Sequence, residues 1–141
     1  EFFGADQRHE SDIEGLGRIP AEQQMKSTKV PSFNVIGNSP LVLRESLLDE
    51  VYTMGENFVE AAKRVVAPGM NGPFCIEGVY DENAKFTSFE FSARIVAGSN
   101  IYMDGSPYYS LLFNENMSMG KRIAREIKIA TEKNQLDKIT T

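Results

Sequence analysis

One stretch limits the folds open to this chain more than any other: Gly72 to Asn100, GPFCIEGVYDENAKFTSFEFSARIVAGSN. It reads as a β-hairpin. Phe74 to Asp81 is one strand, Lys85 to Ala97 is the other, and Glu82, Asn83, Ala84 and Lys85 make the bend. A tight turn centred on Asn83 and Ala84 sets Glu82 against Lys85 and Glu77 directly against Glu90. Side chains alternate between the two faces of a strand. One face then carries Glu77, Ser88, Glu90, Ser92 and Arg94. The other carries Phe74, Ile76, Phe89, Phe91, Ala93 and Ile95, and belongs against a core.

Like charges facing each other across a ladder destabilise it by roughly 0.2–1 kcal/mol when exposed. The cost rises when water is partly excluded. It falls if one carboxylate takes a proton, if a cationic side chain moves in, or if a metal ion binds. Arg94 shares the face, two pairs further along. A hard divalent cation takes one or two carboxylates and completes its shell with water and phosphate oxygens. The polar face thus reads either as a nucleotide–metal site or as the solvated outside of an ordinary hairpin.

At 141 residues the chain is one domain, or a piece of a larger one. It starts Glu1-Phe2-Phe3 without an initiator Met, so its N-terminus is expected to be a cut. An apolar and aromatic share of 41% is enough for a real core. The net charge of −5, from 15 basic and 20 acidic residues, argues against a nucleic-acid surface. A local basic pocket for phosphates stays open. Cys75 is the single cysteine, which rules out an internal disulfide and fits a reducing, cytoplasmic setting. No run approaches the ~20 apolar residues of a membrane span, and no signal peptide is visible.

Glu1 to Ala5 reads as a short strand, and Asp6 to Gly17 as a polar stretch broken by Gly15 and Gly17. That stretch holds the lone His9, a solvated loop residue by default, and Glu10, by itself an ordinary surface acid. Pro20 opens a short helix reaching Lys26. Val30 to Ile36 reads as a strand, and Gly37-Asn38-Ser39-Pro40 as a turn beyond it, with Asn38 a turn residue or a cleft residue. Arg44 to Val66 is the clearest helix. Leu47, Val51, Met54, Phe58, Ala62 and Val65 form its apolar stripe, and Gly55 suggests close packing. Asp104-Gly105-Ser106-Pro107 signals a turn, and Tyr108 to Phe113 a strand or buried connector. Ser118 caps a last helix, Met119 to Asn134. Its basic side, Lys121, Arg122, Arg125 and Lys128, is a solvated face or a phosphate or subunit contact. The fold class that follows is α+β, with one antiparallel sheet built on the hairpin and the Arg44 and Met119 helices on its apolar face.

The hairpin resembles the C-terminal half of the ATP-grasp superfamily, in which a Glu on one strand and an E-x-N-x-R run on the next contact Mg²⁺. The matching residues are Glu77 and Glu90-Phe91-Ser92-Ala93-Arg94, with Ser92 where Asn is common. The runs DQRHESDIEGLGRIP, GNSPLVLRESLL, GPFCIEGV, FEFSARIVAGSNIYMDGSPY and MSMGKRIAREIK are similar to the archaeal formate-dependent FAICAR synthetase family. The resemblance covers nearly the whole chain. It implies the C-terminal portion of an ATP-grasp ligase, with an N-terminal domain and a nucleotide-lid subdomain lying before these 141 residues.

The resemblance also implies the chemistry. Formate, ATP and AICAR would give FAICAR, ADP and phosphate through formyl phosphate, in purine (IMP) synthesis. Glu77 and Glu90 would hold Mg²⁺ or Mn²⁺, and Arg94 would stabilise the transferring phosphoryl group. Glu10 would contact ATP, Asn38 would bind AICAR, and Ser99 and Asn100 would meet polar groups of the substrate. A homo-oligomer is expected, with no nucleic-acid or membrane partner. Two alternatives stand beside it: an ATP-grasp-derived binding or assembly module without catalysis, and an ATP-grasp ligase for another acid and amine.

Overall fold

The computed structural model describes residues 1–139. Its strands are β1 (Ala5–Glu10), β2 (Val35–Leu41), β3 (Cys75–Tyr80) and β4 (Phe86–Ser92). Its α-helices are α1 (Asp12–Gly17), α2 (Ala21–Lys26), α3 (Leu48–Val65), α4 (Pro107–Phe113) and α5 (Met119–Glu132). Short 3₁₀ turns occupy Glu45–Leu47, Ala97–Tyr102 and Leu136–Lys138. The class is α+β and all pairing is antiparallel, but the strands form two separate ribbons, β1–β2 and β3–β4, where the sequence suggested one sheet.

The hairpin keeps Glu77 opposite Glu90 by a route the sequence did not suggest. Its bend is one residue longer, three residues between Asp81 and Lys85 instead of two between Glu82 and Lys85. Asp81 N donates to Lys85 O at 3.0 Å, Ala84 takes a left-handed φ of 59°, and the Asp81 carboxylate accepts from the backbone N–H of Asn83 and Lys85. The ladder then runs Tyr80–Phe86, Val79–Thr87 and Gly78–Ser88, and a bulge next to Gly78 restores Glu77–Glu90. The two one-residue offsets cancel. The bulge moves Ser88 to the face of Ile76 and Phe91, so Ser88 does not join the carboxylates. Gly78 is required here, because a Cβ on it would collide with the Phe86 ring and the Thr87 carbonyl. β4 stops at Ser92, so Arg94 sits in a bend after the strand, not on its polar face.

α3 lies on the apolar side of this ribbon, with Phe58 stacked on Phe74 and Phe91 at ring separations of 4.6 and 5.0 Å. Asp49 and Glu50 open the helix and Lys63 and Arg64 close it, which complements its dipole. Gly55 faces open space, so close packing is not its role.

β1 and β2 overturn two expectations. Residues 6–10 belong to a strand rather than a loop, and Gly37-Asn38-Ser39-Pro40 lies inside β2 rather than beyond it. Each strand of a two-stranded ribbon has an outer edge, where a missing proline N–H costs no ladder bond. Pro40 can therefore pair with Asp6 in register. The single histidine is half-buried, with Nε2 2.8 Å from Ser39 Oγ and Nδ1 3.3 Å from Glu14.

Residues before β1 form an aromatic anchor, not a strand. Phe2 packs on Tyr108, and Phe3 on Tyr109 and Tyr102. Arg122 of α5 grips Glu1 through Nε and Nη2, both at 2.9 Å, and Tyr109 Oη donates to the same carboxylate. The expected turn is present, with Gly105 N donating to Tyr102 O at 3.0 Å. It leads straight into helix α4, where Ser106 accepts from Tyr109 N and Pro107 fills the first helical position. Ser118 caps α5 in the same way. The basic side of α5 is largely spent within the chain: Arg122 also pairs with Glu126, while Lys121 and Arg125 pair with Glu115.

The core is thinner than the composition suggests. Among the described residues the buried apolar side chains are Tyr109, Met117 and Ala130. Phe89, Phe91, Ile36, Val42 and Leu111 are exposed. The accessible surface is 10247 Å². A self-contained monomer of 15.8 kDa would expose roughly 7,300 Å².

Candidate functional site

Alternation along β1 places Asp6, Arg8 and Glu10 on one face, and the register sets Arg8 opposite Asn38. Two hydrogen-bonded links converge there. Arg8 Nη1 donates to Glu77 Oε2 at 2.6 Å while Arg8 Nη2 lies 3.1 Å from Glu10 Oε1. One guanidinium thereby joins the first ribbon to the second and stands between two carboxylates that would otherwise repel. Glu10 and Glu77 are about one-fifth exposed. Beside this pair, Asn38 Nδ2 donates to Asp6 Oδ2 at 2.6 Å.

The 3₁₀ turn Ala97–Tyr102 closes the same face. Gly98 is buried against the Asp6 carboxylate, and any Cβ there would collide with it. Tyr102 Oη donates to Ala5 O at 2.6 Å, holding the turn to β1. Ser99 is half-buried and its hydroxyl donates to Val96 O at 2.6 Å, so it serves the turn itself. Asn100 is exposed beside it.

Of the residues singled out in the sequence, Glu10, Asn38 and Glu77 come together through Arg8 and Asp6. Glu90 lies opposite Glu77, exposed, and has no side-chain partner among the described residues. Arg94 is exposed and donates to the Ile95 carbonyl next to it. Cys75 is opposite Ser92, and burial, then the charges of Glu77 and Asp6, push its thiol up to about 11. It is a protonated, weakly reactive thiol at neutral pH.

Sequence reading missed Asp6 and Arg8. The signal was the alternation Asp6-x-Arg8-x-Glu10, hidden because so polar a run reads as a loop. The like-charge problem of the hairpin is relieved by a cation, as one of its three possible solutions required. That cation comes from β1 and not from Arg94.

Among the described residues no group of three or more His, Cys, Asp or Glu side chains is placed to hold a metal ion, and no helix is long and apolar enough to cross a membrane. A groove of about 580 Å³ opens on the other side of the hairpin, against α3, lined by Met54, Phe58, Ile76 and Phe91 among others.

This is a small α+β module whose charged cluster lies where two antiparallel ribbons meet. The chain belongs to the family described as Domain of unknown function (DUF1297), whose model matches residues 1–141. It is 91% identical over 141 residues to a protein of Nitrosopumilus maritimus named 5-formaminoimidazole-4-carboxamide-1-(beta)-D-ribofuranosyl 5'-monophosphate synthetase. A relative of that name from Archaeoglobus fulgidus is 50% identical over 139 residues. The chain covers 41% and 39% of their respective lengths, about two-fifths of each. Its fold is similar to the crystal structure of an IMP biosynthesis protein PurP from Thermococcus kodakaraensis. That match has a TM-score of 0.77 and 32% identity, and covers all of this chain and 44% of the other.

Proposed function

We propose that the chain is the C-terminal portion of an ATP-grasp ligase that joins formate to AICAR, giving FAICAR, ADP and phosphate through formyl phosphate. The observation that carries this reading is the 91% identity, across the whole chain, to a relative named for that product. The excess exposed apolar surface supports the further reading that a preceding N-terminal domain and nucleotide lid cover part of this module.

In this reading the cluster binds and orients, and no side chain acts as a nucleophile. Phosphoryl transfer depends on placement and charge neutralisation more than on covalent help from protein. Glu10 contacts ATP, held at the edge of the cluster by Arg8. Asn38 contacts AICAR. Asn100, exposed within the turn, is free to meet a substrate polar group, while Ser99 would have to give up its bond to Val96. Arg94 needs only to turn away from Ile95 O to reach an anion.

Glu77 and Glu90 fit Mg²⁺ or Mn²⁺ by donor chemistry. Both are hard oxygen donors on one face of the ladder. Arg8 occupies Glu77 Oε2, which leaves Oε1 and the Glu90 carboxylate. Two carboxylates completed by phosphate and water make an ordinary magnesium shell. The bound ion would spread the charge of the phosphates during transfer.

The test is formation of FAICAR from AICAR, formate and ATP by the full-length protein, with residues 1–141 alone as a control. We expect turnover from the first and none from the second. Full-length protein without activity, or an active fragment, would overturn the assignment or its division respectively. Ser92 in place of Asn, with Arg8 already neutralising Glu77, favours a second reading as a binding module without catalysis. Protection of β3 and β4 amides by Mg²⁺–ATP without turnover would select it.

A further inference from the structure

We infer that Asp6 is a positioning residue that fixes the amide of Asn38, so that position 38 offers its ligand a hydrogen-bond acceptor and selects for an N–H group. This rests on the proposed role of Asn38 in substrate binding and adds the chemistry of that contact. An ionised carboxylate only accepts hydrogen bonds. The 2.6 Å contact between Asp6 Oδ2 and the Asn38 amide therefore has to use Nδ2–H. The two ends of an amide cannot be told apart by shape, and the partner decides which is which. With Nδ2 bound to Asp6, Oδ1 points elsewhere. Among the described residues nothing donates to it.

Asp6 is itself held. Gly98 leaves only enough room for its carboxylate, and Tyr102 fastens the turn that carries Gly98 to the backbone of Ala5. The wall behind Asn38 is thus rigid and negative, and the amide cannot exchange its Nδ2 and Oδ1 ends without breaking a charge-assisted bond. Amino and carboxamide N–H groups fit a contact with Oδ1, whereas carbonyl and phosphate oxygens approaching Oδ1 meet a lone pair. Asn38 accordingly reads the nitrogen-bearing end of the acceptor substrate and not its phosphate.

The test uses the full-length protein with AICAR, formate and ATP as probes. Asp6→Asn removes the obligate acceptor and lets the Asn38 amide turn over. It is expected to raise KM for AICAR about tenfold, the loss of one oriented hydrogen bond. KM for ATP, kcat and the thermal midpoint should stay near their starting values. The swap Asp6→Asn with Asn38→Asp restores a donor behind and an acceptor in front, and should return KM for AICAR to within about threefold of the starting protein. A site that used the Asn38 N–H to hold an oxygen would be destroyed by the same swap, which overturns the inference. So would an Asp6→Asn protein whose KM values for ATP and AICAR rise together, the mark of a general structural role. Asn38→Ala separates the two levels. If it raises KM for AICAR while Asp6→Asn does not, the orientation argument fails and the binding role stands. If it leaves KM unchanged, the binding role fails and takes the inference with it.

Discussion

The two ribbons are built from the same number of strands and differ in almost everything else. β3 and β4 are joined by a bend of three residues between Asp81 and Lys85, and Phe74 just before β3 and Phe91 of β4 pack on Phe58 of α3. β1 and β2 are separated by two short helices, and the face they share is polar. The hairpin holds two acids that repel, and the first ribbon supplies the arginine that relieves one of them. Each ribbon is locally incomplete, and the charged cluster exists only where the two meet.

The largest expected effect tests whether the hairpin acids do chemistry. In the full-length protein Glu90→Gln removes an unpartnered carboxylate while keeping its shape. Under the proposed reading it cuts ATP-dependent turnover by about 10²-fold or more, the scale of losing a charge-stabilising group in a transition state. Steady-state rates across a Mg²⁺ series measure it. A loss below about threefold would mean that Glu90 is only a solvated neighbour of Glu77.

The same contrast explains what could be read from the sequence. The hairpin, α3 and the capped start of α5 were legible because their signals are local: a bend flanked by aromatic runs, an apolar stripe at helical spacing, and Ser118 before a helical run. β1 and β2 were not, because their pairing partner lies about thirty positions away and their alternation is charged rather than apolar. Asn38 looked like a turn residue since Gly37 and Pro40 flank it, and only its neighbour across the ribbon makes it part of a strand. The bulge at Gly78 was also hidden, and Glu77 met Glu90 as expected because a bend one residue longer compensated for it. The split into two ribbons was invisible for a related reason: no short-range pattern says which strands remain unpaired.

The next effect in size concerns the seam between the ribbons. Gly98→Ala drives a methyl group into the Asp6 carboxylate. Overfilling a packed site costs about 1–3 kcal/mol, so the thermal midpoint of the full-length protein should fall by several degrees. Gly55→Ala is the matched control. Its site is open, and alanine in a helix interior gains about 1 kcal/mol over glycine. Opposite signs for two glycine substitutions would sharpen the view that the seam, not the helix, is where this chain is tightly fitted.

Arg8→Met tests the charge link directly. It leaves Glu10 and Glu77 unpaired on a partly exposed face, which costs about 1 kcal/mol after solvent screening. Thermal midpoints without ligand should drop slightly. Adding Mg²⁺–ATP should recover more in the variant than in the starting protein, because the ion then neutralises carboxylates that Arg8 no longer covers. Equal recovery in both would mean that the arginine and the ion act on different groups.

The smallest effect lies at the aromatic anchor ahead of the first ribbon. The hydrogen bond from Arg122 holds the Glu1 carboxyl below its ordinary range, with help from Tyr109, against the opposing pull of burial. A carboxylate with a depressed folded-state pKa stabilises the fold at any pH above its unfolded value of about 4.3. That contribution disappears as pH falls through the lower folded-state value. Glu1→Gln should therefore lower the thermal midpoint a little at pH 7, and the gap between variant and starting protein should close toward pH 3. The carboxyls of Glu14, Glu60 and Glu115 are also held low by their partners, so both proteins lose stability in acid and only the difference between them reports on Glu1. A gap that stays constant from pH 7 to pH 3 would assign the effect to packing around Phe2 and Phe3 rather than to the ion pair.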